Sequence, residues 1–167
     1  MADKYLLGNG VVTIGSTAVA LTRGGGSFTI DRTYKEVLAD GDFGPVKGRI
    51  RKDGSRAKLN VKMLEFIVAN MVDMYPGIQA ATTGGQTTLT STTVSTIPDA
   101  DFSTVKWTGA LNDGTPVVIE LTNAVNLEGL NWNLVDKDEV VQEITWTAAY
   151  TDTTRTTEPW SIKVGTA

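Results

Sequence analysis

Apolar and polar positions alternate with a period of two along much of this chain. From Ser27 to Leu38, Phe28 and Ile30, followed by Arg32, fall on one side while Thr29, Asp31 and Thr33 fall on the other, the pattern of a half-buried strand. Between Val46 and Lys52, Val46, Gly48 and Ile50 oppose Lys47, Arg49 and Arg51; between Ala57 and Met63, Leu59, Val61 and Met63 oppose Lys58, Asn60 and Lys62. The intervening Lys52-Asp53-Gly54-Ser55 predicts a hairpin turn, because Asp-Gly favours positive φ, and the hairpin has a cationic outer face. Shorter strands are predicted over Val11–Ile14 and Ala18–Thr22, either side of a turn at Gly15-Ser16-Thr17, with Arg23-Gly24-Gly25-Gly26 as a break before the long strand. Two further hairpins are expected. One joins Thr104–Leu111 to Pro116–Leu121 through Asn112-Asp113-Gly114-Thr115. The other joins Gly129–Val135 to Val140–Tyr150 through Asp136-Lys137-Asp138-Glu139, with Trp132, Leu134, Ile144, Trp146, Ala148 and Tyr150 able to point inward.

Helical spacing occurs once. Leu64, Ile67, Val68, Met71 and Val72 predict a helix over Met63–Tyr75 ended by Pro76-Gly77, and such a stripe reads as a core face. Ala39-Asp40-Gly41-Asp42-Phe43-Gly44-Pro45 combines turn formers that preclude regular structure and reads as a loop. Gly84–Ile97 is rich in threonine and reads either as a strand or as an exposed loop. Pro98-Asp99-Ala100-Asp101 interrupts the chain, and polar Thr151–Glu158 leads to an apolar anchor, Pro159-Trp160-Ser161-Ile162. The sum is a single domain of mainly antiparallel β structure, a sandwich or barrel-like fold with one flanking helix.

Composition narrows the chemistry. The 167 residues contain neither cysteine nor histidine. That removes disulfides, thiolate metal sites, cysteine nucleophiles, the commonest general base and the commonest metal ligand, so no enzyme is expected. The net charge of -4 argues against tight nucleic-acid binding. No run approaches the ~18 apolar residues of a membrane span, and Met1–Leu7 has no secretory core, so synthesis in a cytoplasm is expected.

Local candidates for a site mostly dissolve. The pairs Asp40/Asp42, Asp99/Asp101 and Asp136/Asp138 lack the spacing of a calcium loop and read as turn formers. Arg23–Ser27 is glycine-rich without the lysine and helix of a phosphate loop. Glu120, Glu128, Glu139 and Glu143 cannot be placed in one cleft from sequence, so paired-carboxylate catalysis has no support. The cations Lys47, Arg49, Arg51, Lys58 and Lys62 fit nucleic acid, a partner's carboxylates or plain solvent, with no aromatic residue interleaved for base stacking.

In order along the chain, several segments resemble bacteriophage tail tube proteins. They are Gly10-Val11-Val12-Thr13-Ile14-Gly15, then Asp31–Glu36 with Ala39–Arg49, then Leu130–Val141, then Glu158-Pro159-Trp160. The resemblance implies a tail tube β-sandwich with an N-terminal arm (1–9), a C-terminal arm (151–167) anchored by Pro159 and Trp160, and a long inter-subunit or inter-ring loop at Asp40, Gly41, Asp42, Phe43, Gly44 and Pro45. It implies hexameric rings stacked into a hollow tube in the virion, reached from the host cytoplasm, through which double-stranded DNA passes on ejection. A tape-measure protein, a tip or baseplate and a terminator are the implied partners. A globule of this length has a radius of gyration of about 15 Å, so one copy cannot enclose such a channel. A barrel of about two dozen strands, ~4.8 Å apart and tilted ~40°, is ~48 Å across, wide enough for a duplex inside its side chains.

On this reading Lys47, Arg49 and Arg51 form a cationic inter-ring face, and some of Glu36, Glu120, Glu139 and Glu143 line the lumen, where negative charge repels DNA and lets it slide. Two other readings stay open. One is a β-sandwich carbohydrate-binding or adhesion module using an exposed Trp107 or Trp160. The other is the inner tube of a contractile tail or phage-like bacteriocin.

Overall fold

A computed structural model describes residues 3–19, 22–64, 68–92, 95–132, 134 and 136–166. Strands β1 (Leu6–Ile14) and β2 (Thr17–Val19) form a hairpin closed by Gly15 at φ +58. Then come β3 (Thr22–Glu36), β4 (Ile50–Met63), the helix α1 (Val68–Met74), β5 (Ile78–Thr83) and β6 (Gln86–Ser91). A 3-10 turn at Asp99–Asp101 precedes β7 (Ser103–Leu111), β8 (Pro116–Asn126), β9 (Gln142–Ala148) and β10 (Trp160–Val164). All pairings are antiparallel. The large sheet runs β2-β1-β7-β8-β9-β4-β3, with β10 also on β8, and β5-β6 form a separate two-stranded sheet.

Strand β8 carries the sheet from one layer to the other. Its first half, Val117–Leu121, pairs with β10, while Ala124–Asn126 pair with β9. The change of partner falls at Asn123, whose φ of +50 is one of the few left-handed conformations a non-glycine residue tolerates. Its carbonyl accepts from the amide of Ala149 at 3.0 Å, and the neighbouring Thr122 amide donates to Pro159 O at 2.9 Å. The result is a sandwich of β2-β1-β7-β8-β10 against β9-β4-β3.

Alternation sets the core. Ala57, Leu59, Val61 and Met63 of β4 are buried, as are Ile144 and Trp146 of β9, and they cluster with Val12, Ile14, Val105 and Leu121 of the other layer. Burying a side chain of this size stabilises by roughly 1.5–3 kcal/mol.

Several expectations need correction. Arg23–Gly26 does not break the chain: it lies within β3, where Gly24 and Gly25 take φ of +89 and +78 at a register shift between Thr22 and Gly26. The Asp53-Gly54 pair makes no turn. Ile50–Met63 is one strand, and Thr33 pairs with Gly54 while the next residue, Tyr34, pairs with Lys52, so Asp53 is the extra residue of a β-bulge. A Cβ on Gly54 would lie 2.9 Å from Thr33 Oγ1, so the glycine serves close approach here. The β3–β4 connection is instead residues 37–49.

The helix is shorter than predicted. Met63 ends β4, Ile67 lies outside the described residues, and Val72 is exposed whereas Met71 is buried. The Thr-rich stretch is the second arm of the β5–β6 hairpin, which starts earlier, at Ile78; Thr93 and Val94 lie outside the described residues.

The final hairpin is half correct. Gln142–Ala148 forms β9, but it pairs with β4 over Gln142–Thr147 and with β8 over Trp146–Ala148 rather than with the described residues of Gly129–Val135. Among the described residues of that arm no strand forms, and Trp132 and Leu134 are exposed, as is Tyr150; Asn133 and Val135 lie outside the described residues. The range given to an N-terminal arm overlaps β1, which begins at Leu6, and Ala20 and Leu21 of the second predicted strand lie outside the described residues.

Candidate assembly surfaces

The β3–β4 loop is braced from within. Val37 N–H donates to Arg49 O at 3.1 Å and closes its base, and Arg49 N–H donates to Val46 O at 3.0 Å. The Asp42 carboxylate accepts both the Ala39 amide and the Arg49 guanidinium, each at 2.7 Å, while Gly41 and Gly48 supply the positive φ the path needs, +92 and +89. Asp40 and Pro45 are exposed and Gly44 half-buried. Phe43 projects from this frame with 110% relative exposure, and Tyr34, Val37, Leu38 and Ile50 are exposed at the loop's base. An apolar group held fully in water on a fixed loop is the kind of feature that marks a contact site.

The five cations do not form one face. Lys47 and Arg49 sit on the loop, Arg51 lies on β4 beyond the bulge opposite Lys35, and Lys58 below the bulge pairs with Asp31 at 3.0 Å. Arg49 is held by Asp42, a use that sequence reasoning missed because the pair spans the glycine-rich loop.

The four glutamates are likewise dispersed. Glu36 ends β3. Glu120 lies on the outer side of the β7-β8-β10 layer, where Lys163 Nζ donates to it at 2.6 Å and, with Lys106, holds its carboxyl below the ordinary range against the opposing effect of desolvation. Glu139 pairs with Arg23, which also lies 3.7 Å from Asp138. Glu143 lies on the outer side of β9 in the opposite layer and accepts from Asn60 Nδ2 at 3.0 Å. Because Glu120 and Glu143 belong to opposite outer faces, one lumen wall does not hold both. The register puts Asp31 and Glu143 with Arg56, Lys58 and Lys62 on the outer face of β3-β4-β9, among Thr29, Thr145 and Thr147. That face is polar, near-neutral and partly ion-paired.

The C-terminal anchor is tied at Glu158, whose role the sequence reading left unassigned. Its carboxylate accepts from Lys52 and from Trp160 Nε1 (2.6 Å) and lies 3.5 Å from Arg32. Lys52 first, then the indole N–H and Arg32, hold the carboxyl down at about 2. Pro159 is buried and Trp160 packs on Phe28, so Trp160 is held against the fold rather than displayed for sugar stacking, and Trp107 is half-buried.

At the other end of the sandwich a cleft of 540 Å³ opens between β1 and the β3–β4 pair, lined among others by Leu6, Gly10, Phe28, Val61, Trp107 and Ile119. Its floor is the Trp107 indole, laid across two glycines. A Cβ on Gly10 would fall 2.5 Å from Trp107 Nε1, and one on Gly109 would fall 2.2 Å from Cη2. Among the described residues no group of three or more Asp or Glu could hold a metal ion, and no helix is long and apolar enough to cross a membrane.

No family profile and no curated protein matches the sequence. Solved structures do. A chain of the sheath–tube complex of PVC, an extracellular contractile injection system, in its extended state aligns with a TM-score of 0.53 at 12% identity, over 95% of this chain and 90% of that one. The tube-terminating cap of the anti-feeding prophage aligns at 0.56 and 13%, over 99% and 95%. The PVC sheath/tube terminator aligns at 0.52 and 14%, over 92% of each chain. What they share with this chain is the fold. The match spans nearly the whole of both partners in each case, so the shared β-rich fold extends over nearly all of this chain rather than over a fragment of it.

Proposed function

We propose that this chain is a non-enzymatic structural subunit that assembles with copies of itself into hexameric rings, stacked as the hollow tube of a phage tail, through which DNA leaves. The observation that carries this is the full-length fold shared with chains of tube–sheath and tube-cap assemblies. Its physical support is an unpaired edge: β3 ends the large sheet, so the outer side of Thr22–Glu36 has no strand partner among the described residues. A long free edge invites strand addition, and closure into a ring removes it.

In this reading the outer face of β3-β4-β9 lines the bore. Of the four glutamates first considered, Glu143 lies there. Lys58 is paired with Asp31, Glu143 lies across from Lys62, and apart from Arg56 the rest of the wall is mostly threonine, serine and asparagine, so its charge stays near neutral and it offers a polyanion little to grip. The braced loop Asp40–Pro45 joins neighbouring copies, with Lys47 and Arg51 free to meet carboxylates of the next ring. A tape-measure protein in the bore, a tip or baseplate and a terminator complete the particle.

A second reading within the same fold is the inner tube of a contractile tail or bacteriocin, favoured by the source of the structural neighbours, all from contractile systems. Co-purification with a sheath protein would select it.

Negative-stain electron microscopy of the concentrated protein tests the main proposal. Tubes of uniform width with a stained channel are expected. A protein that stays monomeric at all concentrations, with and without a tip complex, would overturn it.

A further inference from the structure

The braced loop and the glycine-floored cleft lie at opposite ends of the same strand pair. Gly26 lines the cleft and Glu36 enters the loop; the strand between them spans about 33 Å at ~3.3 Å per residue. Phe43 therefore cannot reach the cleft of its own chain, while a second copy stacked end to end brings the two together.

Three observations match the two surfaces. Phe43 is wholly exposed on a loop fixed by Asp42 and Arg49, so little ordering is lost on docking. The cleft is lined mostly by apolar groups, and a volume of 540 Å³ lies within the ~300–1,000 Å³ range of sites that enclose groups larger than one side chain. The charges lean in opposite directions: with Asp42 and Arg49 paired, Lys35, Lys47 and Arg51 outnumber Glu36 and Asp40 around the loop, whereas Asp136, Asp138, Glu139 and Glu143 outnumber Arg23, Lys62 and Lys137 beside the start of β3.

We propose that the cleft floored by Trp107 over Gly10 and Gly109 is the socket for Phe43 of a second copy. This rests on the reading of the chain as a self-assembling subunit and names the contact that stacks it. A plug at one end and a socket at the other make a heterologous contact with no built-in stop, so it propagates into a linear stack. A buried aromatic anchor in an apolar pocket is also the usual energetic centre of an interface.

The absence of native cysteine makes the contact testable by disulfide trapping. Gly44→Cys puts a thiol beside an intact Phe43, at a position where an added Cβ meets nothing within 4 Å. Leu6→Cys puts one at the cleft, where Leu6 is exposed, and Ser27→Cys offers a second cleft position should disulfide geometry fail at the first. Under mild oxidation the double variant Gly44→Cys/Leu6→Cys, or its Ser27→Cys counterpart, is expected to give a ladder of covalent multimers. Mixed single variants should give dimers only, and Gly44→Cys alone no dimer. Adding Phe43→Ala should abolish the ladder and raise the concentration needed for assembly about thirtyfold or more.

Tubes seen by microscopy with no ladder from either cleft position would overturn the socket while leaving the tube reading intact. Gly44→Cys dimers would overturn it in favour of a symmetric contact, and a ladder indifferent to Phe43→Ala would overturn the role of the plug. A Phe43-dependent ladder without tubes would uphold the socket and count against the tube. Neither tubes nor ladder would overturn both.

Discussion

Phe28 of β3 meets Trp160 of β10 edge to face, with ring centroids 5.8 Å apart and planes at 61°. The pair joins the two layers of the sandwich at the point where the C-terminal strand docks. Trp160→Ala should destabilise the subunit by about 2–4 kcal/mol in urea unfolding, somewhat below the loss for a fully buried tryptophan. A double-mutant cycle with Phe28→Leu should return about 0.5–1.5 kcal/mol of coupling. Additive single effects would show that the rings merely share a neighbourhood.

Glu158 gives that docking a pH dependence. Its carboxyl falls from an ordinary 4.5 to about 2 in the folded chain. A group with a depressed folded value stabilises fully above the unfolded value, and that contribution is lost as pH falls through the folded one. The unfolding midpoint of the native chain should therefore drop between pH 4.5 and pH 2 by more than that of Glu158→Gln, which lacks the titrating group. Parallel curves for the two proteins would remove Glu158 from the account.

The glycine floor under Trp107 leaves no room for a methyl group. Gly109→Ala should cost about 1–3 kcal/mol, because the obstructing atoms belong to a rigid, partly enclosed indole, and tryptophan fluorescence should shift with it. Gly44→Ala, with open space around it, should change stability by less than about 0.5 kcal/mol. Equal effects of the two would refute the floor.

The loop brace separates folding from assembly. Asp42→Ala removes the one carboxylate oxygen that accepts from both Ala39 and Arg49, a loop hydrogen bond and a surface ion pair, so subunit stability should fall by only about 1–2 kcal/mol. Assembly should fail, as it should on deletion of Asp40–Gly44. Normal tubes from either variant would refute the loop's role.

Much of this architecture is legible in the chain, and the exceptions have physical causes. Strands with one wet face, such as Leu59–Met63 and Val117–Leu121, announce themselves by alternation. Gly15, Gly41 and Gly114 mark turns where positive φ is needed. Asp53-Gly54 misleads because a bulge and a hairpin turn draw on the same residues, and which one forms depends on whether the opposing strand is long enough; β3 continues past it to Glu36. The triple glycine misleads for the same reason. Leu130 to Leu134 looks like a buried strand by composition alone, but β9 takes β4 and β8 as its partners among the described residues. The loop Asp40–Pro45 is readable from turn chemistry. The cleft is not, since Gly10, Phe28 and Trp107 come from three strands far apart in sequence.

The chain carries no charged residue between Asp73 and Asp99, and within that interval β5 and β6 pair, among the described residues, with each other alone. They reach the core through Ile78 and Leu89 and end in Gly84-Gly85, at φ +60 and +83 with open space around both. A peptide inserted between those glycines would lengthen a tip that no strand of the large sheet depends on, at an entropic cost of only about 0.6 kcal/mol per doubling of loop length. Repeated once per subunit along an assembled particle, such an insert would form a display lattice whose spacing is set by the protein itself.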